Sequence, residues 1–412
     1  MLGAAGRGTP FLQDIAEGAR GCIAPAPDRA KGREFAMTER EIAEIRRRYR
    51  PEKTNITHLR GCYVNEKREI VSQFDQPLSM MSEEEAEKIL ATLKRTLSGA
   101  QGRNLFDVEF ATQQVVDSEE HRLLMSLRSS GLGDEEAVQA FLQKVIASLS
   151  MEGSYLILLA HETYDVPYRS ADGGRQDDAS DQVYTYFLCS ICPVKLTTPA
   201  LSYFIYENKL SNRPADWLVS PPELGFLFPA FDSRSANIYS ALYYTRNPAE
   251  NHQEFADAVF NREIPMPAAE QKETFQSLLG ESLGEDCSLE VVQAVEGQLT
   301  EMIEAHKERK EEEPLAVSKY AVKRVLEGCG VPEERLSTFT QRYDEAFGPD
   351  LDLSPRNLVN ARALEVATPD VTVKVNPERG DLVETRVIDG VRYILIRAEE
   401  GVQVNGIDIH IS

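Results

Sequence analysis

Tyr155-Leu156-Ile157-Leu158-Leu159-Ala160 and Val183-Tyr184-Thr185-Tyr186-Phe187-Leu188 decide how this chain is read. Both are unbroken apolar or aromatic runs of strand length. They bracket a polar stretch that carries His161, Glu162, Asp165, Asp172, Gly173, Gly174, Asp177, Asp178 and Asp181. Cys189-Ser190-Ile191-Cys192-Pro193 follows directly. The pattern predicts a pair of core strands around a polar loop, with most of the chain's chemistry-bearing side chains gathered there.

Those side chains support several chemistries unequally. Cys189 and Cys192 form a lone Cys-x-x-Cys, whereas a structural zinc site needs four ligands. His161, 28 residues before Cys189, approaches only if the two runs pair. A redox dithiol needs a helix N-terminus to lower its thiol pKa, but Pro193 and the aromatic run before it predict a strand end. Small buried thiols are the favoured reading. His161, Glu162 and Asp165 suit acid/base work, yet no G-x-S-x-G elbow marks a nucleophile. An EF-hand that starts at Asp172 fails, because its sixth residue is Asp177 and its twelfth is Val183. Neither glycine-rich phosphate motif occurs. The sequence therefore predicts no catalytic residue outright, no metal and no cofactor. If the chain is an enzyme, His161, Glu162, Asp165, Asp172, Cys189 and Cys192 are the candidate site.

On the N-terminal side, Thr38 can cap a helix with Glu41 at its third position, and Pro51 closes it. Residues 56–64 read as a strand with 69–75 as its hairpin partner. Ser82-Glu83-Glu84-Glu85 is a capping box, followed by Ile89, Leu90, Leu93 and Leu97 at helical spacing. Residues 105–110 are strand-like, and 119–129 and 134–149 are amphipathic helices. Residues 1–36, with Ala24-Pro25-Ala26-Pro27, show no sustained period; Met37 is the expected natural start.

Downstream, Tyr203-Phe204-Ile205-Tyr206 is expected to pair with Asp216-Trp217-Leu218-Val219. Residues 221–229, with prolines at both ends, read as a buried connection or short strand. From 249 to 347 the spacing is helical, and Ser354-Pro355 starts a further helix. The last 45 residues alternate with period two, with Asp389-Gly390 and Asn405-Gly406 as tight turns. The fold class is α+β: a mixed N-terminal α/β region with antiparallel strands, a helical middle and a C-terminal antiparallel β-meander. The expected divisions are 1–36 as a non-native or disordered extension, 37–248 as a core domain, 249–365 as a helical region and 366–412 as the meander.

The 412 residues carry a net charge of −22. That field repels a phosphate backbone overall, so nucleic-acid binding needs a local basic patch. Residues 37–70 hold nine Lys/Arg against six acids, and Arg46, Arg47, Arg48 and Arg50 are the candidate contacts. No run reaches the roughly 18–20 apolar residues of a membrane span, and residues 1–36 lack the apolar core of a secretory signal. Six scattered cysteines make no disulfide framework. The expectation is a cytoplasmic protein without membrane contact.

The runs Gly61-Cys62-Tyr63-Val64, Thr96-Leu97-Ser98-Gly99, Leu188-Cys189-Ser190-Ile191-Cys192-Pro193-Val194 and Glu223-Leu224-Gly225-Phe226-Leu227-Phe228-Pro229-Ala230-Phe231 resemble a bacterial family known as domain of unknown function 4317. So do Gln271-Lys272-Glu273-Thr274-Phe275-Gln276 and Val375-Asn376-Pro377-Glu378-Arg379. The resemblance covers 37–412 and brings no functional residue with it. In order of elements the chain more distantly resembles the bacterial 37-kilodalton nucleoid-associated protein family, which implies nucleoid association. The function expected is a non-catalytic binding or scaffolding protein. Its partner stays open between a protein and nucleoid DNA, and self-association is compatible with both.

Overall fold

The polar stretch between the two opening runs is mostly strand. In the computed structural model, which describes residues 37–169, 175–309, 315–349, 351–360, 363–398, 401–404 and 407–410, the runs extend toward each other. They sit in one eight-stranded antiparallel sheet. Its strands in chain order begin with β1 (His58–Val64), β2 (Ile70–Pro77), β3 (Leu105–Glu109), β4 (Ser154–Arg169) and β5 (Arg175–Leu196). The expected runs 155–160 and 183–194 are thus only parts of β4 and β5. Thr163, Tyr164 and Val166 carry the ladder onward, and Pro167 is accommodated at a register shift, where a missing N–H costs no ladder bond.

The next two strands form an arm: among the described residues, β6 (Ala200–Phe204) pairs only with β7 (Lys209–Arg213). The expected partner of β6, residues 216–219, goes elsewhere, because β8 (Trp217–Val219) pairs with the end of β5. A four-residue turn between Phe204 and Lys209 closes the arm early, with Asn208 at a φ of 47°. Pro214 then offers no N–H to prolong it.

β9 (Leu224–Phe228) is a central strand, buried at every residue. It is followed by the small hairpin β10 (Ala230–Asp232) and β11 (Ser235–Asn237), and by β12 (Ser240–Thr245). The sheet order is β2-β1-β4-β5-β9-β12-β3, with β8 beside β5.

Both faces of this sheet are covered, so its middle strands read as continuous apolar runs rather than alternating ones. On one face Phe187, Cys189, Ile191, Phe226 and Phe228 meet the helices Glu119–Ser129, Glu135–Ser148 and Gln253–Phe260. On the other, Tyr184, Tyr186, Leu188, Leu227 and Leu242 meet Ile42 and Ile45 of the helix Glu39–Arg46 and Leu90 and Leu93 of the helix Glu83–Arg95. Both helices start with the capping boxes expected, at Thr38 and Ser82. Phe255 and Phe260, although they lie in the stretch read as the helical middle, pack into the first of these cores.

A third core belongs to the helices Ala268–Leu283, Leu289–Arg309, Lys319–Gly328, Glu333–Phe347 and Pro355–Leu358. The C-terminal segment is antiparallel but divides into three separate hairpins: β13 (Leu364–Ala367) with β14 (Thr372–Val375), β15 (Val383–Ile388) with β16 (Val391–Ile396), and β17 (Val402–Val404) with β18 (Ile407–Ile409). The Asp389-Gly390 turn joins β15 to β16 as expected. The Asn405-Gly406 turn and residues 1–36 lie outside the described residues. Among the described residues, no helix is long and apolar enough to cross a membrane.

Candidate functional site

His161 and Glu162 are neighbours on β4 and therefore point to opposite faces of the sheet. Glu162 lies directly across from Tyr186 on β5 and accepts its hydroxyl hydrogen bond at 2.6 Å. Its other oxygen accepts from Arg48 Nε at 2.9 Å and from the Asn55 backbone at 3.2 Å. Arg48 Nη2 lies 2.8 Å from the same oxygen. The Glu162 side chain has 0% exposure and that of Arg48 17%. Glu162 of the candidate site is thus the ion partner of Arg48 of the candidate basic patch.

A wider network surrounds this pair. The Arg48 guanidinium sits 4.7 Å from the Tyr164 ring centroid. The Tyr164 hydroxyl donates to Glu44, and Arg234 grips the same carboxylate at 2.8 and 2.6 Å. Tyr184 stacks on Tyr186 with centroids 4.8 Å apart and donates to the Pro229 carbonyl. Burial pushes the Tyr186 and Tyr184 hydroxyls well above the usual phenol range, and nearby Tyr49 adds to the shift in both. These residues clamp the helix Glu39–Arg46 and the segment after it onto the sheet. A general base needs a lone pair that substrate can reach, and Glu162 presents none to solvent.

His161 faces the other way, toward the helix Glu119–Ser129. Its ring lies against Gly131, and burial holds its pKa below the ordinary 6.5 against the pull of the Arg128 backbone. Asp165 is exposed and pairs in register with Val183. Asp172 lies outside the described residues. Sequence spacing grouped these residues, but strand geometry separates them.

The same geometry gives the Cys-x-x-Cys pair its favoured reading, small buried thiols on a strand. Cys189 and Cys192 are three apart on one strand, so they face opposite sides, and they belong to different cores. Both are buried and free, as is Cys62. Burial lifts the Cys192 and Cys62 thiols to about 12 and pushes Cys189 well above the ordinary thiol range, the reverse of what a nucleophilic thiolate requires. Among the described residues, no group of three or more His, Cys, Asp or Glu side chains is placed to hold a metal ion.

The basic patch is altered as well. Arg48 is committed to Glu162, which leaves Arg47 and Arg50 exposed and Arg46 half-buried. Arg50 lies 3.9 Å from Glu52.

Two features went unnoticed in the sequence. The β6–β7 arm exposes Leu201, Tyr203, Ile205, Tyr206 and Leu210, with Ile205 76% and Tyr206 104% exposed at its tip. Trp217 and Leu218 of β8 add to it, each 60% exposed. The signal was present as large apolar residues in 201–219, but strand patterning does not say which faces stay uncovered. The second is a cleft between β3 and residues 351–357, which no sequence motif announces.

The family model described as "Domain of unknown function (DUF4317)" matches residues 37–407. No curated protein matches the chain.

Proposed function

We propose, for a chain that belongs to the DUF4317 family, a non-catalytic binding or scaffolding role in which the β6–β7 arm docks a partner protein. The observation that supports it is the arm's surface. A lone two-stranded hairpin is marginally stable in water, yet this one presents Leu201, Tyr203, Ile205, Tyr206 and Leu210 to solvent. Exposed apolar patches of this kind mark interaction sites. Aromatic side chains are the residue class that anchors protein interfaces. Residues 200–216 balance Glu207 and Asp216 against Lys209 and Arg213 on a chain of net charge −22, so a partner meets no like-charge barrier at the arm itself. The enzyme alternative draws less support, since His161 and Glu162 are neighbours on β4 that take opposite faces, and Cys189 and Cys192 belong to different cores. Association with nucleoid DNA would rest on Arg46, Arg47 and Arg50 without Arg48.

The test places a photo-crosslinking residue at Tyr206 of the full chain in its native cell, with a control at Val116, which is exposed on a helix. Crosslinks to one defined partner protein from position 206 and none from 116 are expected. Ile205→Asp should abolish them while leaving the unfolding midpoint within about 0.5 kcal/mol of wild type, as for a surface change. Crosslinks only to a second copy would convert the reading to self-association, and equal crosslinking from both positions would overturn it.

A further inference from the structure

We propose that the arm takes up its partner by strand addition: an extended segment of the partner, free of acidic residues, pairs with the outer edge of β6. The mode rests on the arm's role as the docking surface. The ladder between β5 and β8 ends at Leu196 with Trp217, and the ladder between β6 and β7 starts at Ala200 with Arg213. Both follow one register, with residues 197–199 on one side and 214–216 on the other. That register sets Pro199 opposite Pro214, and neither has an N–H to donate. The opposed prolines cut the arm off from the eight-stranded sheet. What remains is a two-stranded ribbon, and such a ribbon gains independent stability from a third strand.

The two edges of the ribbon are not equivalent. β7 carries Lys209 and Arg213, and charged side chains blunt an edge. β6 carries no charge. Among the described residues its outer edge has no neighbouring strand, so it presents backbone donors and acceptors for pairing. Alternation places Leu201 and Tyr203 on one face of β6, with Leu210 of β7 directly across from Tyr203. Ala200, Ser202 and Phe204 take the other face. Leu201 and Tyr203 are both exposed. A strand laid beside β6 meets the two of them, whereas one beside β7 meets only Leu210 of this apolar face. The added segment therefore alternates, aliphatic on the Leu201 face and small or polar on the other. The chain's net charge of −22 disfavours acidic residues in it.

The probe is a fluorescein-labelled heptapeptide in which valine and threonine alternate between terminal lysines, titrated with the full chain and followed by anisotropy. Saturable binding with a Kd of roughly 100 μM or below is expected. N-methylation of every interior peptide nitrogen, which removes the ladder donors and keeps the side chains, should weaken it by at least about tenfold. Leu201→Asn should weaken it about tenfold, and Leu210→Asn by no more than about threefold. Both are surface changes, so the unfolding midpoint should stay in place. Equal binding of the methylated peptide, or a larger loss at Leu210 than at Leu201, overturns strand addition to β6. So does a peptide that fails to bind while crosslinks from Tyr206 to one partner persist, and docking by the arm then stands. Absence of both removes the docking reading as well. A full chain that sediments as a dimer, and as a monomer with Leu201→Asn, assigns the edge to a second copy and overturns a partner strand.

Discussion

Removing Arg48 leaves Glu162 as a charge that water cannot reach. Glu162 has no exposed side-chain area, and its four hydrogen-bonding and ionic contacts come from Arg48, Asn55 and Tyr186. Breaking a buried pair from one end typically costs 3–5 kcal/mol, far more than a surface ion pair is worth. We expect Arg48→Met to destabilise by about 3 kcal/mol, at the low end because Arg48 retains some solvent contact. Replacing both residues with Met and Leu should cost less than the sum of the two single changes. Urea unfolding of the four proteins in a double-mutant cycle checks this, and additive losses would show that the pair is not coupled. At this scale the sequence identified the right residues for the wrong reason. Arg48 stood out as one of several arginines and Glu162 as a neighbour of His161. Nothing in a linear string says that residues 114 apart meet, or that His161 and Glu162 part company, until strand pairing fixes which face each takes.

Elements were more legible than their partners. The capping boxes, the helical spacings and the two opening runs all give elements where hydrophobic period and turn chemistry predict them, because those signals are local. What escaped was pairing. Trp217–Val219 lies on β5 rather than on β6, and the C-terminal strands form three ladders rather than one, since pairing depends on which surfaces remain free after the core has closed. Pairing leaves its clearest trace at two glycines that look unremarkable in sequence. A Cβ on Gly61 of β1 would strike the Ile157 carbonyl oxygen of β4, and one on Gly225 of β9 would strike the Cys189 carbonyl oxygen of β5. Gly225 would also bring Thr96 Cγ2 to 2.7 Å. Backbone atoms in the middle of a sheet cannot swing aside. Gly61→Ala and Gly225→Ala should therefore each cost about 2–3 kcal/mol, the upper range for overpacking. Gly297→Ala, where a Cβ meets nothing within 4 Å on the helix Leu289–Arg309, should be neutral or stabilising by up to about 1 kcal/mol. Chemical denaturation of the three variants checks the order, and equal effects would remove the steric argument.

For the whole molecule, acid stability tests whether the sheet and its covering helices close as described. His121 on a covering helix, His161 on β4 and His252 at the start of the helix Gln253–Phe260 come from different segments, and burial holds all three below the ordinary pKa of 6.5. The opposing influences are weaker: the Ile238 carbonyl for His121, the Arg128 backbone for His161, and Glu250 with Glu223 for His252. Well above pH 6.5 all three are neutral in the folded and unfolded chain alike, so they add no slope. As pH falls below 6.5 the unfolded chain takes up protons that the folded chain refuses. Stability then decreases with acidification, because the unfolded state binds more protons. The net charge of −22 works in the opposite sense, since protonated carboxylates repel one another less. Ordinary carboxylates titrate near pH 4, however, so that relief comes later. The interval from about pH 6.5 to 5 consequently belongs to the histidines, and the urea midpoint should fall across it. His161→Gln should flatten that fall, because the amide carries no titrating proton into the space beside Gly131 and Arg128. A midpoint that stays level or rises between pH 7 and 5 would mean that these rings reach solvent in the folded chain.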